Sequence, residues 1–344
     1  MNSKRPTIRD VAEKAGVSTT LVSFVLNDTA GECIPEATRE KVLSAIKDLG
    51  YVPNHIARGM RTKRSNTIGI VSFWDIRNHV FNDILLGINR ITEEKGYSIL
   101  ICNHKLPAKE FEYIDIYKRG QVDGLIFICP YDMSMSFDES LHVRSIKENT
   151  IPSAILNMHI EAEGVNCIYF DYYNAAYIST EYLIKLGHKK IGYILPHKNE
   201  IAQFQAAERF RGYRSALSDY GINILNDYIF HSDKPEDFKD MIYKIKKGES
   251  PTALVAGRTR MAQRFLQYAL EYGVRVPDEI SIIAASTEPY AEFLYPALTT
   301  VQLPLEDIGA SAANMVIDSI NGKKSYVKLK YSYEICERRS CKKI

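Results

Sequence analysis

Apolar residues recur at helical spacing through the first fifty positions, then in short strand-like runs after about position 66. Ile8, Val11, Ala12 and Ala15 fall at i, i+3, i+4 and i+7, one stripe of a short helix. Thr7 precedes it as N-cap, Asp10 completes a capping box, and Gly16 ends it. Ser18 caps a second helix almost at once. Set at helical intervals, residues 19–27 place Leu21, Val22 and Val25 on one arc. Thr19, Thr20, Ser23 and Asn27 take the opposite arc, with Phe24 at its edge. A solvated face usually carries Lys and Glu; small hydroxyl and amide groups instead let another surface come close. A third helix follows, with Pro35 in its first turn, Val42, Ile46 and Leu49 facing inward and Gly50 at its end. Two short helices joined by a tight turn and closed by a third predict a helix-turn-helix unit, whose second helix enters a DNA major groove.

From Thr67 the pattern becomes short apolar runs alternating with amphipathic stretches. "TIGIVSF", "YSILIC", "VDGLIFIC" and "SAILN" read as buried strands, with helices at "FNDILLGINRITEEKG", after Pro107 and after Phe137. "CIYF", "KIGYIL", "TALVA" and "ISIIAAS" read as a second series. Two doubly wound parallel-sheet lobes follow, with a ligand expected at the carboxyl ends of the strands, in the cleft between them. The predicted organisation is a headpiece at 1–52, a hinge and linker at 53–66, and a bilobed core at 67–344. The first lobe is expected at about 67–162 and 301–326, the second at about 163–300 and 327–344.

Composition narrows the class. At 344 residues with 45% hydrophobic and 25% charged content, the chain is an ordinary globular protein of more than one domain. No run approaches the ~18 apolar residues of a membrane span, and "MNSKRPTIRD" is polar where a signal peptide turns apolar, so a cytoplasmic protein with no membrane partner is expected. The six cysteines form no C-x-x-C pair and have no His at metal spacing, so they are expected as reduced thiols, with no metal and no cofactor. The net charge of +2 hides an asymmetry: residues 1–65 hold eleven Lys/Arg against seven Asp/Glu, and Arg58, Arg61, Lys63 and Arg64 cluster, as in a phosphate-facing arm or a solvated linker. G-x-G-x-x-G, Walker, G-x-S-x-G and H-E-x-x-H motifs are missing, which argues against an enzyme.

The stretches "TIRDVAEKAGVSTTLVSFVLN" and "ATREKVLSAIKDLGYVPNHIARGMRTKRSNTIGIV" resemble the headpiece and hinge of the LacI/GalR family of transcription regulators, and the resemblance extends to the end of the chain. It implies an all-α helix-turn-helix headpiece plus an α/β core like a type I periplasmic sugar-binding protein. It implies a homodimeric regulator, expected to be a repressor, on a pseudo-palindromic double-stranded DNA operator. Thr19, Thr20 and Phe24 would contact bases, with Thr7, Ser18, Ser23 and Asn27 holding the backbone. Asn54, His55 and Arg58 would add contacts from the hinge, a segment too short to be a stable helix in water and weakened by Gly59. Met60 would take the position of the family's minor-groove Leu wedge. Two headpiece departures stand out: Leu21 replaces a usual Thr and Phe24 a common Arg.

In the core, the resemblance implies a small-molecule, carbohydrate-derived effector contacted by Arg209 of "AERFRGYRSAL". Asp171 of "IYFDYYNAA" matches a family position, as a ligand contact or as a local cap. Trp74 and Phe81 either stack on a sugar ring or pack in the core. The family's usual Asn-Asp after "TALVA" is here "GRTR", with Arg258, and the usual carboxylate after "ISII" is Ser286. Loss of that acceptor weakens a neutral sugar, and an arginine at the start of a helix favours an anion, which suggests a sugar acid or sugar phosphate. Control by a protein partner is the alternative; a sugar-binding protein without a DNA role is disfavoured by residues 1–65.

Overall fold

The computed structural model describes residues 6–27, 34–51, 64–73, 77–103, 111–129, 138–195, 203–232, 234–323 and 326–344. The chain divides into two compact units, residues 1–65 and 66–344. The first contains helices α1 (Ile8–Ala15), α2 (Thr19–Asn27) and α3 (Glu36–Leu49). Its start is fixed locally: the Thr7 N–H donates to the Asp10 carboxylate at 2.7 Å and the Thr7 hydroxyl donates to it at 2.8 Å. Gly16, at φ 67°, takes the left-handed conformation that ends α1, and its N–H meets carbonyls of the last turn. The Ser18 hydroxyl accepts from the Leu21 N–H at 3.2 Å and so caps α2. Val11, Val22, Val25, Val42 and Ala45 close a small core, with Leu21, Ile46 and Leu49 half-buried around it.

The second unit runs β1 (Thr67–Ser72), α4 (His79–Glu94), β2 (Ser98–Asn103), α5 (Glu112–Lys118), β3 (Gly124–Ile128), α6 (Glu139–Glu148), β4 (Ser153–Leu156) and β5 (Asn166–Phe170). It continues with α7 (Tyr172–Lys185), β6 (Ile191–Ile194), α8 (Phe204–Asp219), β7 (Ile229–Phe230), α9 (Pro235–Lys246), β8 (Ala253–Ala256), α10 (Thr259–Glu271) and β9 (Ser281–Ala284). The last elements are β10 (Thr299–Gln302), α11 (Leu305–Ile320), β11 (Lys328–Tyr331) and β12 (Glu334–Cys336). One sheet has the order β11-β5-β4-β3-β1-β2, all parallel; the other has β12-β10-β9-β8-β6-β7, parallel except for the β10–β12 pair. Strand orders that reverse about the first-formed strand are those of doubly wound lobes, as the alternating pattern predicts.

Two boundaries differ from expectation. The "CIYF" run, β5, was expected to open the second lobe but is hydrogen-bonded into the first sheet, Cys167 opposite Ile155 and Leu329 opposite Ile168. β11 joins it at the edge, so residues 163–170 and 327–331 belong to the first lobe. The chain therefore passes between lobes after Phe170, after Gln302 and between Tyr331 and Glu334. An apolar run marks a strand, but its sheet is decided by partners distant in sequence.

Helices cover both sheets. α4 and α11 cross so closely that a Cβ added at Gly87 would collide with the Glu306 carbonyl, and one added at Gly309 with the Ile84 carbonyl. α7 and α8 meet the same way at Gly212, against the Tyr173 carbonyl.

Candidate functional sites: a reading helix and an interlobe cavity

In the headpiece, the faces of α2 separate by burial. Val22 and Val25 are 0% and 5% exposed, whereas Thr19 and Thr20 are exposed on the opposite side and Ser23 and Phe24 are half-buried beside them. Thr19 and Thr20 open the helix, with Phe24 one turn after Thr20, so the three form a patch at its N-terminal half. Such a patch suits contact with base edges, because a recognition helix presents its first turns to the groove floor. Thr7 and Ser18 are used as caps, which leaves them positioned at helix starts where N–H groups attract phosphate. The side chain of Asn27 and the hinge residues Asn54, His55, Arg58 and Met60 lie outside the described residues, as does Trp74.

In the core, a cavity of about 290 Å³ opens at the carboxyl ends of the strands. It brings Arg209, Arg258 and Ser286 together with Arg260, His79 and Tyr172. A larger groove, about 600 Å³, runs along α8 past Arg211 and Arg214; Arg211 there is already engaged by Glu208 and by the Tyr173 ring at 4.5 Å. The smaller cavity is the ligand candidate, since it lies where doubly wound sheets bind ligands and where both lobes supply walls.

Arg209, on α8, is 3% exposed. Its Nε donates to the Ala285 carbonyl at 2.9 Å, and its guanidinium lies 4.7 Å from the centre of the Tyr172 ring. Tyr172 is held in turn by donating its hydroxyl to Asn157 Oδ1 at 2.6 Å. Arg258 is the N-cap residue of α10, and its Nη2 donates to Gln203 Oε1 at 3.1 Å. Ser286 accepts from the Thr259 N–H at 2.9 Å, while the Thr259 hydroxyl donates to the Ser286 carbonyl at 2.9 Å. A serine thus caps α10 where the resemblance implies a carboxylate, and it does so without negative charge.

Two expectations are corrected. Asp171 is a local cap: it accepts from the Asn174 N–H at 3.0 Å, pairs with Lys330 at 2.7 Å and lies outside the cavity lining. Phe81 is 1% exposed in the first-lobe core with Ile84, Ile88 and Ile91, one helical stripe of α4, so of its two expected roles the structure has core packing.

Three lining residues, His79, Arg260 and Glu288, are not singled out by any sequence motif. His79 begins α4 in the first lobe and Glu288 follows β9 in the second; the imidazole Nδ1 faces the carboxylate at 3.1 Å, across the cavity mouth. None of the described cysteines lines the cavity. Burial pushes the Cys102 thiol up to about 11 and the Cys341 thiol up to about 12, and raises Cys129 well above the ordinary thiol value, which keeps all three protonated and inert.

Known proteins share both units. Residues 7–54 match the family of bacterial regulatory proteins of the lacI type, and residues 180–341 match a periplasmic binding protein-like domain. The HTH-type transcriptional repressor PurR of Vibrio atlanticus (strain LGP32) is 31% identical over 342 residues, covering 98% of each chain. PurR of Proteus mirabilis (strain HI4320) is likewise 31% identical, over 97% of this chain and 96% of its own. Among solved structures, the lac repressor dimer bound to operator and the anti-inducer ONPF superposes with a TM-score of 0.77 at 23% identity, covering 98% of this chain and 99% of that one. These relatives are regulators of transcription rather than enzymes. Aligned with such repressors over 98% of its length, and carrying a helical headpiece on one unit and the bilobed core on the other, the chain belongs to the lacI family of bacterial regulatory proteins and is a DNA-binding transcriptional repressor.

Proposed function

We propose that the chain represses transcription as a homodimer under control of an anionic, carbohydrate-derived ligand in the interlobe cavity. Each headpiece places α2 in the major groove of one half of a pseudo-palindromic operator. Acting on DNA, the protein works in the cytoplasm. No helix among the described residues is long and apolar enough to cross a membrane.

One observation carries the ligand reading: Arg209, Arg258 and Arg260 converge on a single cavity. Two of them flank the start of α10, where oriented N–H groups and the helix dipole add to the attraction for an anion. Glu288 is the one acidic side chain among the described lining residues, and His79 engages it. A neutral sugar is usually oriented by carboxylates that accept from its hydroxyls, and at Ser286 that acceptor is missing. The donor-rich wall instead suits a carboxylate or phosphate. For the dimer, Leu86, Leu100 and Ile101 on the first lobe and Phe293 and Tyr295 on the second are exposed apolar groups that a second copy would cover.

Calorimetry of the full chain with sugar acids, sugar phosphates, neutral sugars and purine bases tests the ligand class. Acids or phosphates are expected to bind, and Arg258→Ala to abolish their binding. Tighter binding of a neutral sugar or a neutral base than of every anion would refute the reading.

A further inference from the structure

Away from the cavity, the two lobes share a further contact, and it is buried. Glu139, the first residue of α6, reaches the loop after β4, where its side chain accepts from the His159 N–H at 3.0 Å and from the Ile160 N–H at 3.0 Å. It also lies 2.8 Å from His159 Nδ1, and both side chains are buried. These bonds hold the imidazole from within the first lobe. Its other nitrogen, Nε2, lies 3.0 Å from the amide nitrogen of Gln205, on α8 of the second lobe. Gln205 is 0% exposed, and the ring of its neighbour Phe204 has its centre 4.8 Å from that of the imidazole. Glu139, His159, Phe204 and Gln205 all lie outside the cavity lining.

The same loop meets the second lobe through Asn157, which accepts from the Tyr172 hydroxyl. Tyr172 follows the crossover at Phe170 by two residues, so that bond can turn with the chain as the lobes move. Gln205 lies beyond α7 and β6, and its bond to His159 must break if the lobes part. The contact holds in either state of the ring. The amide nitrogen donates to a bare Nε2, and Gln205 Oε1, buried with no partner, is the end that accepts from a protonated one. We infer that His159 and Gln205 form an interlobe latch favouring the lobe arrangement seen here, and that Glu139 is the positioning residue that holds the imidazole toward the second lobe. The latch does not depend on which ligand the cavity takes. A ligand shifts the lobes only by the difference in its affinity for their arrangements, and the latch sets how large that difference must be. Two residues before Gln205, Gln203 Oε1 accepts from Arg258, so one helix start holds both the latch and a cavity arginine.

The test is the rate at which diethyl pyrocarbonate modifies three histidines of the full chain without ligand, read by peptide mass spectrometry at one pH. His159 and His79 each face the opposite lobe. His188 is 1% exposed, with both ring nitrogens against second-lobe atoms, and serves as the control. Gln205→Leu removes both ends of the amide at similar volume. It should speed modification of His159 and of His79 about fivefold, the size of one buried hydrogen bond acting on the open fraction, and leave His188 within about twofold. Glu139→Gln should speed His79 by a smaller factor, and by none once residue 205 is Leu. Thermal melting checks folding, and Gln205→Asn, which draws the amide back by one methylene, replaces any variant that fails. Faster reaction at His159 alone would mean local exposure without movement of the lobes, and overturns the latch. Equal acceleration of all three histidines, a general loosening, overturns it too, as do unchanged rates. A Glu139→Gln effect on His79 that persists in Gln205→Leu overturns the positioning role of Glu139.

Discussion

Phe24→Arg is the substitution that most directly asks what α2 reads. Phe24 stands one turn after the exposed Thr20, half-buried, with Val22 and Val25 turned into the headpiece core. A phenyl ring can offer a base pair only apolar contact, such as packing on a thymine methyl; one buried methyl-sized contact is worth about 0.8 kcal/mol. An arginine in its place can hold guanine O6 and N7 with two hydrogen bonds, for about 1–3 kcal/mol of discrimination. Together the change in preference at that position is about 2–4 kcal/mol, or roughly 30- to 1,000-fold. Selection from random duplex DNA with both proteins would give the two motifs. Fluorescence anisotropy at one fixed salt concentration, on sites differing only at the affected base pair, would give the ratio, because phosphate contacts make absolute affinities salt-dependent. The shift should appear once per half-site, with the rest of the motif intact and the melting temperature of the headpiece little changed. An identical motif from both proteins would mean that Phe24 does not face the groove.

Three further outcomes follow from the core. Gly87→Ala inserts a methyl into the α4–α11 crossing against the Glu306 carbonyl; a loss of about 1–3 kcal/mol in denaturant unfolding is expected, and no loss would mean that the helices can separate freely. Burial lowers the pKa of His188 from its ordinary value, and its ring nitrogens lie against Thr252 Oγ1 and the Lys342 carbonyl. The unfolded chain therefore takes up that proton first, near pH 6.5, so this contribution to stability is complete above about pH 6.5 and is lost as pH falls through the lower folded value. His188→Gln should flatten the fall of melting temperature between pH 7 and 5, and an unchanged slope would refute it. Ser286→Ala should cost about 1 kcal/mol as the cap on α10 is removed, whereas Ser286→Asp should keep the melting temperature and weaken binding of any acid by charge repulsion; equal acid binding by the aspartate variant would argue against an anion at this helix end.

What was legible in the sequence is what the chain decides locally. Thr7, Asp10 and Gly16 define α1 within ten residues, and their caps form as spacing implies. The strands of the core were legible as apolar runs, but not their sheets: β5 and β11 pair with each other across nearly half of the chain, and nothing in either segment names the other. Phe81 shows a different failure. A ring near a strand end invites a stacking role, yet its spacing from Ile84, Ile88 and Ile91 assigns it to the buried stripe of α4, and periodicity is the stronger signal. Asp171 likewise sits immediately before a helix, where an acidic residue most simply caps it.

The cavity divides along the same line. Arg209, Arg258 and Ser286 could be picked out because each replaces or retains a family residue next to a recognisable strand or helix start, and the cavity brings all three together. His79 and Glu288 could not, since an unremarkable His at the head of an amphipathic helix acquires meaning only when the second lobe sets a carboxylate against it. The two departures at the start of α10 make chemical sense together rather than separately. A carboxylate at position 286 would have neutralised Arg258 and repelled an anion; a serine keeps the cap on Thr259 and leaves the helix end positive. A ligand in this cavity would meet walls from both lobes at once, which would give it a larger affinity for the closed arrangement than for any in which the walls are apart, and that difference is the only quantity by which a ligand can shift the balance between them.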